Sequence, residues 1–198
     1  DNEKFGLMVH LLKGEGTKLA MVFCNTRRNA DFVAKNLINN GVHARAIHGG
    51  MDQSKRIRVL KEFADGKMNI IVCTDVAARG LDITGVTHVY NYDLPKDHRD
   101  YIHRIGRTAR AGESGMAVNI LASRDYDNFS NIQRHNEGLV VKRENTPRFP
   151  RVAVKFDEPR ASKYGGVHGR ASRGRGRNIG GRRPEDRKGD SRGREQRG

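Results

Sequence analysis

Asn69-Ile70-Ile71-Val72-Cys73-Thr74 runs directly into Asp75-Val76-Ala77-Ala78-Arg79-Gly80-Leu81-Asp82-Ile83. The apolar run shows almost no alternation with polar residues, which predicts a strand covered on both faces. The abrupt change to hydroxyl, carboxylate, guanidinium and glycine puts a tight polar turn at that strand's carboxyl end. Outward from here the pattern repeats. Residues 19–24 (Leu-Ala-Met-Val-Phe-Cys) are a second continuous apolar run, and residues 43–47, 86–92 and 116–121 supply three more strands. Helical spacing fills the gaps. Phe5, Met8, Val9, Leu11 and Leu12 stop at Gly14; Ala30, Val33, Ala34, Leu37 and Ile38 stop at Gly41; Ile57, Leu60 and Phe63 stop at Gly66. Residues 97–107 and 124–133 add two further helices. Strands alternating with helices predict an α/β fold, a parallel sheet with helices on both faces.

The chain has 198 residues and a formal net charge of +15, unevenly spread: +9 falls on residues 151–198 and +6 on residues 1–150. This divides it into a globular domain over 1–144 and a basic Arg/Gly-rich tail over 145–198. Val152, Val154 and Phe156 alternate like one isolated strand. From Gly165 onward no apolar periodicity survives, and disorder is expected there. No apolar run reaches the roughly 18 residues of a membrane span. Cys24 and Cys73, each inside an apolar run, make neither a disulfide framework nor a zinc ligand set. They read as small buried hydrophobes in a reducing compartment, so a cytoplasmic location is expected. A first residue other than Met suggests a piece of something longer.

Parallel sheets bind ligands outside the carboxyl ends of their strands. Those ends carry Asn25-Thr26, His48-Gly49, Thr74-Asp75 and Asp93. In the 74–83 turn, Asp82 suits a ribose hydroxyl and Thr74 a phosphate; equally, Asp75 or Asp82 suits a helix cap. In the helix at 97–107, Ile102, Ile105 and Ala109 are spaced to face the core. His103, Arg107 and Arg110 form a separate stripe. Three arginines and no acid lie between Tyr101 and Gly112, and such a group calls for an anion from elsewhere.

His103-Arg104-Ile105-Gly106-Arg107-Thr108-Ala109-Arg110 resembles motif VI of the DEAD-box RNA helicases, H-R-I-G-R-x-x-R. Residues 74–83 resemble motif V and residues 22–26 motif IV. His48-Gly49-Gly50-Met51 with Gln53 and Arg56 is similar to the family's H-G-x-x-x-Q-x-x-R segment, and Asn91-Tyr92-Asp93-Leu94-Pro95 also fits. Five motifs in order over residues 3–137 match the second, C-terminal RecA-like domain. The resemblance implies an ATP-dependent RNA helicase that unwinds short duplexes as two RecA-like domains close around ATP and RNA. Arg107 and Arg110 would reach the ATP phosphates, one as an arginine finger, and Asp82 would hold the ribose. Thr26, Gly49, Arg56 and Thr74 would contact the RNA backbone without regard to base sequence, and Gln53, Arg79 and His103 would couple the domains.

The departures bound this. No G-x-x-x-x-G-K-[ST] loop is present; Gly66-Lys67 is followed by Met68. The D-E-A-D and S-A-T segments are also missing. The resemblance assigns these to the N-terminal RecA-like domain, so ATP with Mg2+ would be held mainly there and the chain is expected to be inactive alone. Ala109 stands where the family more often has Gly, a change expected to be tolerated. The Arg/Gly tail is expected to add salt-sensitive affinity for RNA. Two other readings are a helicase-fold translocase on DNA and a non-enzymatic RNA-binding or annealing module.

Overall fold

A computed structural model describes residues 2–14, 17–81, 83–109 and 114–156. The five expected strands form: β1 (Ala20–Phe23), β2 (Ala44–Ile47), β3 (Ile70–Cys73), β4 (His88–Asn91) and β5 (Met116–Asn119). They make one sheet in the order β2-β3-β1-β4-β5, parallel throughout. Every residue of β1 and β3 is buried, as their unbroken apolar runs require. Within each run, alternate residues go to opposite faces. Ala20, Val22, Cys24, Ile70 and Val72 join one core cluster; Met21, Phe23, Ile71 and Cys73 join the other.

Helices α1 (Asn2–Lys13) and α2 (Arg27–Asn39) cover the first face with Phe5, Met8, Val9, Ala30, Val33 and Leu37. Helix α3 (Gln53–Ala64) and the single turn α4 (Asp75–Ala78) cover the second with Val59, Phe63, Ala77 and Ala78. Helices α5 (His98–Ile105) and α6 (Tyr126–His135) share a smaller cluster through Leu94, Tyr101 and Ile132. A 3-10 turn at Ser123–Asp125 leads into α6. There Asp125, 3% exposed, takes an ion pair of 2.6 Å from the buried Lys4 of α1.

Four expected core positions lie elsewhere. Ile38, Ile57 and Ile102 are 47%, 57% and 40% exposed, and Ala109, in the turn beyond the helix at 98–105, is exposed too. In α3 the inward face is Val59 and Phe63, with Leu60 half-buried beside them, a rotation of the helix relative to the apolar count. In α5 the inward face is Tyr101 and Arg104. That helix also ends at Ile105, two residues early, and bonds from Arg107 N to Arg104 O and Thr108 N to Ile105 O make a tighter turn. Thr108 Oγ1 then donates to Val86 O, 2.6 Å away, and ties the exit to the start of β4.

Residues 145–156 contain neither helix nor strand, so the expected isolated strand does not form. Its alternation is real all the same: Val152 and Val154 are half-buried and pack on the first core cluster. Composition placed a boundary at 144/145, whereas these contacts carry the packed chain to Phe156. The described residues all belong to one unit, Asp1–Pro159. The Arg/Gly sequence from Gly165 lies outside the described residues.

Candidate functional site

The strand order reverses direction at β1: its connection leads toward β2, while β4 leads on to β5. Ligands in such folds sit outside the carboxyl ends at that reversal. Here the place is filled by the protein's own cation. Arg104 is 1% exposed and uses its whole guanidinium. Its Nε and Nη2 donate to Asp75 Oδ1 and Oδ2 at 2.6 and 2.8 Å. Nη2 also reaches Asn25 Oδ1 at 2.8 Å, and Nη1 reaches Asp93 O and Asn91 Oδ1. The group lies 5.1 Å from the Phe23 ring centroid, within cation–π range. Asn25, Asp75 and the Asn91–Asp93 pair stand at the ends of β1, β3 and β4, so one side chain ties three strand ends together.

One of the three arginines in the acid-free stretch thus finds its anion inside the fold. Asp75, a candidate helix cap, serves as that anion; the residue capping α4 is Thr74, with no side-chain cap bond. No apolar periodicity flags a buried arginine, and residue type argues against one. The signal available was the set of polar residues at the strand ends, enough to partner a buried cation.

Outside this plug lies a pocket lined by Phe23, Asp75, Arg79, Asp100, His103 and Arg107 together with Ala78 and Arg104. Arg79 Nη2 pairs with Asp100 Oδ1 at 2.6 Å, the arginine largely exposed. Exposed pairs of this kind contribute about 0–1 kcal/mol, so the arginine can exchange partners readily. His103 is exposed. Arg107, half-buried, donates from Nη1 to Leu81 O at 2.9 Å and from Nε to His103 O at 3.3 Å. Because α5 stops at Ile105, Arg107 belongs to the turn beyond the helix rather than to a helical stripe. Asp82 and Arg110 lie outside the described residues.

The other expected site residues occupy the adjoining rim, at the ends of β1, β2 and β3. Thr26 caps α2, its Oγ1 accepting from Asn29 N at 3.1 Å. Beyond β2, His48 is buried between two partners. Its Nε2 meets Asp31 Oδ1 at 2.8 Å, and its Nδ1 accepts from Gly50 N at 3.2 Å. The exposed Gly49 is held in that turn, and a Cβ there would lie 3.4 Å from Arg27 Nη2. Gln53 is exposed at the start of α3. Arg56 bridges α3 to α4, Nη2 donating to Ala77 O at 2.8 Å. Thr74 is 7% exposed. The structure therefore groups Arg79, His103 and Arg107 in one pocket and leaves Thr26, Gly49, Gln53, Arg56 and Thr74 along the neighbouring edge.

The two cysteines are buried, on paired strands, with Cys24 N donating to Cys73 O at 2.9 Å. Burial first, and for Cys24 the nearby Asp93 next, pushes both thiols well above their ordinary range. Among the described residues no group of three His, Cys, Asp or Glu side chains is placed to hold a metal ion, and no helix is long and apolar enough to cross a membrane.

The five-stranded parallel sheet with helices on both faces and a polar rim at its strand ends matches the RecA-like domain of solved DEAD-box proteins. Comparison with known proteins makes this specific: residues 3–112 match the helicase conserved C-terminal domain, and the chain belongs to that family, in its DEAD-box branch. It is 50% identical over 125 residues to the ATP-dependent RNA helicase CshA of Listeria monocytogenes, covering 63% of this chain and 24% of that protein. It resembles the E. coli DEAD-box protein SrmB, solved bound to regulator of ribonuclease activity A, at 40% identity and TM-score 0.66 over 68% of this chain and 80% of that one. It also resembles S. cerevisiae Dbp5 bound to RNA and ADP BeF3, at 30% identity and TM-score 0.65 over 69% of this chain and 37% of that one. The chain spans about a quarter of the length of the curated relatives it matches.

Proposed function

We propose that this chain supplies the second half of a bipartite ATPase that unwinds short RNA duplexes. The observation that carries the reading is the pocket at the strand ends. Arg79, His103 and Arg107 border it, while the deeper Arg104 is already neutralised by Asp75. A half-exposed cluster of cationic and imidazole groups over a satisfied base suits an anionic ligand arriving from a second lobe. That ligand is ATP with Mg2+, which supplies the phosphoanhydride and whose main cradle is the N-terminal RecA-like domain.

In this reading Arg107, with Arg110, places guanidinium charge against phosphate oxygens where negative charge develops. Such a contribution is worth several orders of magnitude in related enzymes. Asp82 holds the ribose. His103, Arg79 and Gln53 couple the lobes, and the weak Arg79–Asp100 pair lets Arg79 change partner when they meet. Thr26, Gly49, Arg56 and Thr74, along the adjoining edge, meet the phosphates and sugars of one RNA strand. Backbone contacts carry no base information, so the action is independent of sequence. The Arg/Gly tail adds phosphate neutralisation.

Arg107→Ala in the full-length protein should abolish RNA-stimulated ATP hydrolysis and leave the melting temperature within about 2 °C of the parent, as expected of a half-exposed substitution. Hydrolysis at the parent rate would refute the assignment. Stimulation by DNA as strong as by RNA would favour the translocase reading instead.

A further inference from the structure

Two bonds close the turn between β2 and α3, and both belong to His48. Its backbone O accepts from Met51 N at 3.2 Å, and its ring Nδ1 accepts from Gly50 N at 3.2 Å. The second bond follows the pattern in which an Asn or Asp side chain accepts from the backbone two residues on. A peptide N–H can only donate, so Nδ1 carries no proton and the ring proton sits on Nε2. Nε2 then donates to Asp31 Oδ1 at 2.8 Å, joining the end of β2 to α2. The His48 side chain is 10% exposed and that of Asp31 59%. A surface carboxylate on α2 thus fixes the tautomer and plane of a buried imidazole, and the imidazole holds the turn.

What the turn presents is Gly49. It is exposed, and among the described residues its N–H makes no hydrogen bond. The Arg27 side chain lies alongside, since a Cβ on Gly50 would stand 3.6 Å from Arg27 Cδ, as one on Gly49 would stand near its guanidinium. Arg27 precedes Asp31 by one turn of α2, a spacing that suits an ion pair. Asp31 is instead taken by His48, and Arg27 lies over the glycines. The turn leads into α3, whose N-cap Asp52 makes no side-chain cap bond, so the start of α3 is not fixed by its own cap. A carboxylate on this edge opposes an approaching phosphate. Its bond to the ring is the feature that gives it a use there.

We propose that Asp31 and His48 are positioning residues for RNA: Asp31 sets the His48 ring, and the ring holds the Gly49–Gly50 turn in the shape that meets the RNA backbone. This rests on the reading of Gly49 as an RNA contact; neither side chain needs to touch RNA itself. Two opposed effects then act at Asp31. Its charge repels phosphate, so its removal on that account tightens binding. Its oxygen orients the ring, so its removal on that account loosens binding. A hydrogen bond to an ionised group outweighs a surface charge screened by salt, so the loosening wins.

The test is RNA-stimulated ATP hydrolysis by the full-length protein, read as the half-saturating concentration of a single-stranded oligouridylate and as kcat. His48→Ala, which removes the turn's acceptor, should raise that concentration roughly two- to tenfold while kcat at saturating RNA stays within about twofold of the parent. His48→Asn places an amide oxygen two residues before the same N–H and should recover most of the loss. Asp31→Ala should raise the concentration at least about twofold. Asp31→Asn keeps an acceptor for Nε2 without the charge and should bind at least as well as the parent. Asp31 lies on the surface, so its variants read the proposal even where His48→Ala folds poorly. Gly49→Glu, which sets a negative charge on the presented residue, checks the underlying reading. If Gly49→Glu leaves the half-saturating concentration at the parent value, the RNA-contact reading falls and the proposal with it. If Gly49→Glu raises it while Asp31→Ala lowers it or leaves it unchanged, Asp31 acts only as a charge and the proposal alone is overturned. Equal losses in His48→Ala and His48→Asn overturn it as well.

Discussion

Replacing Arg104 removes the cation that ties three strand ends, and the cost follows from its partners. Arg104→Met keeps length and apolar contact with Phe23 but deletes five donor hydrogens. It leaves the Asp75 carboxylate, whose side chain is 22% exposed, facing the interior without its bidentate partner. Asn25 Oδ1, Asn91 Oδ1 and Asp93 O lose a donor as well. Breaking one side of a buried ion pair costs about 3–5 kcal/mol, against a total stability of about 5–15 kcal/mol for a domain. At roughly 3 °C per kcal/mol for this size, the melting temperature should fall by about 9–15 °C. Arg104→Lys restores the charge with three donors and no fork, and should recover only part of this. The double variant Arg104→Met/Asp75→Leu should lie closer to the parent than Arg104→Met alone, since removing both charges relieves the stranded carboxylate. Urea unfolding followed by far-ultraviolet circular dichroism, at low salt and in 0.5 M salt, measures all three. The loss should persist in high salt, because buried pairs are screened little. Arg104→Met within about 1 kcal/mol of the parent, or a loss that salt erases, would refute this account.

Other substitutions test smaller features. Ala109 adopts φ 55°, the left-handed region that costs an alanine roughly 1–2 kcal/mol. Ala109→Gly should raise stability by about 0.5–1 kcal/mol after the extra freedom of the unfolded glycine is subtracted; a lower urea midpoint would contradict this. Gly6→Ala should destabilise despite better helix propensity, because the new methyl meets the Phe149 ring. In a Phe149→Ala background the same change should stabilise by about 1 kcal/mol, and a double-mutant cycle reads that reversal of sign. Cys24 and Cys73 should resist a thiol-selective disulfide reagent at neutral pH until the chain unfolds, since burial keeps both protonated. Unfolded thiols ionise first as pH rises, so stability should decline above the ordinary thiol range of about 8.5. A urea midpoint unchanged between pH 8 and 10 would contradict that.

The strands and their parallel arrangement were legible because β1 and β3 are covered on both faces and so carry no polar break. Helix faces were harder. The count of apolar residues in α3 and α5 admitted Ile57 and Ile102, yet α5 turns inward around Tyr101 and Arg104 because strand-end carboxylate and amides satisfy the cation there. A pairwise polar network between residues 11 to 79 positions apart leaves no local period to read. His103 and Arg107 stood out as a cationic stripe and Arg79 as part of the polar turn, with resemblance adding only their roles, and the structure brings them to one pocket. The end of α5 at Ile105 was not visible in helical spacing, because it depends on Thr108 bonding back to Val86. The alternation of Val152 and Val154 was read as an isolated strand, and what it marks instead is half-burial without a strand. Its partner is a helix face with two asparagine side chains standing in for a neighbouring strand.

The segment 149–156, packed against α1 and α2, has a practical consequence for anyone dissecting the protein. A fragment trimmed where the amino-acid usage changes, near residue 144, would uncover the trough now filled by Phe149, Val152 and Val154 and bare a greasy surface. Poor behaviour of that fragment on purification would be blamed on the missing charged residues, when the fault lay in an unplugged seam. Ending at Phe156 keeps the seam sealed and removes the arginines cleanly.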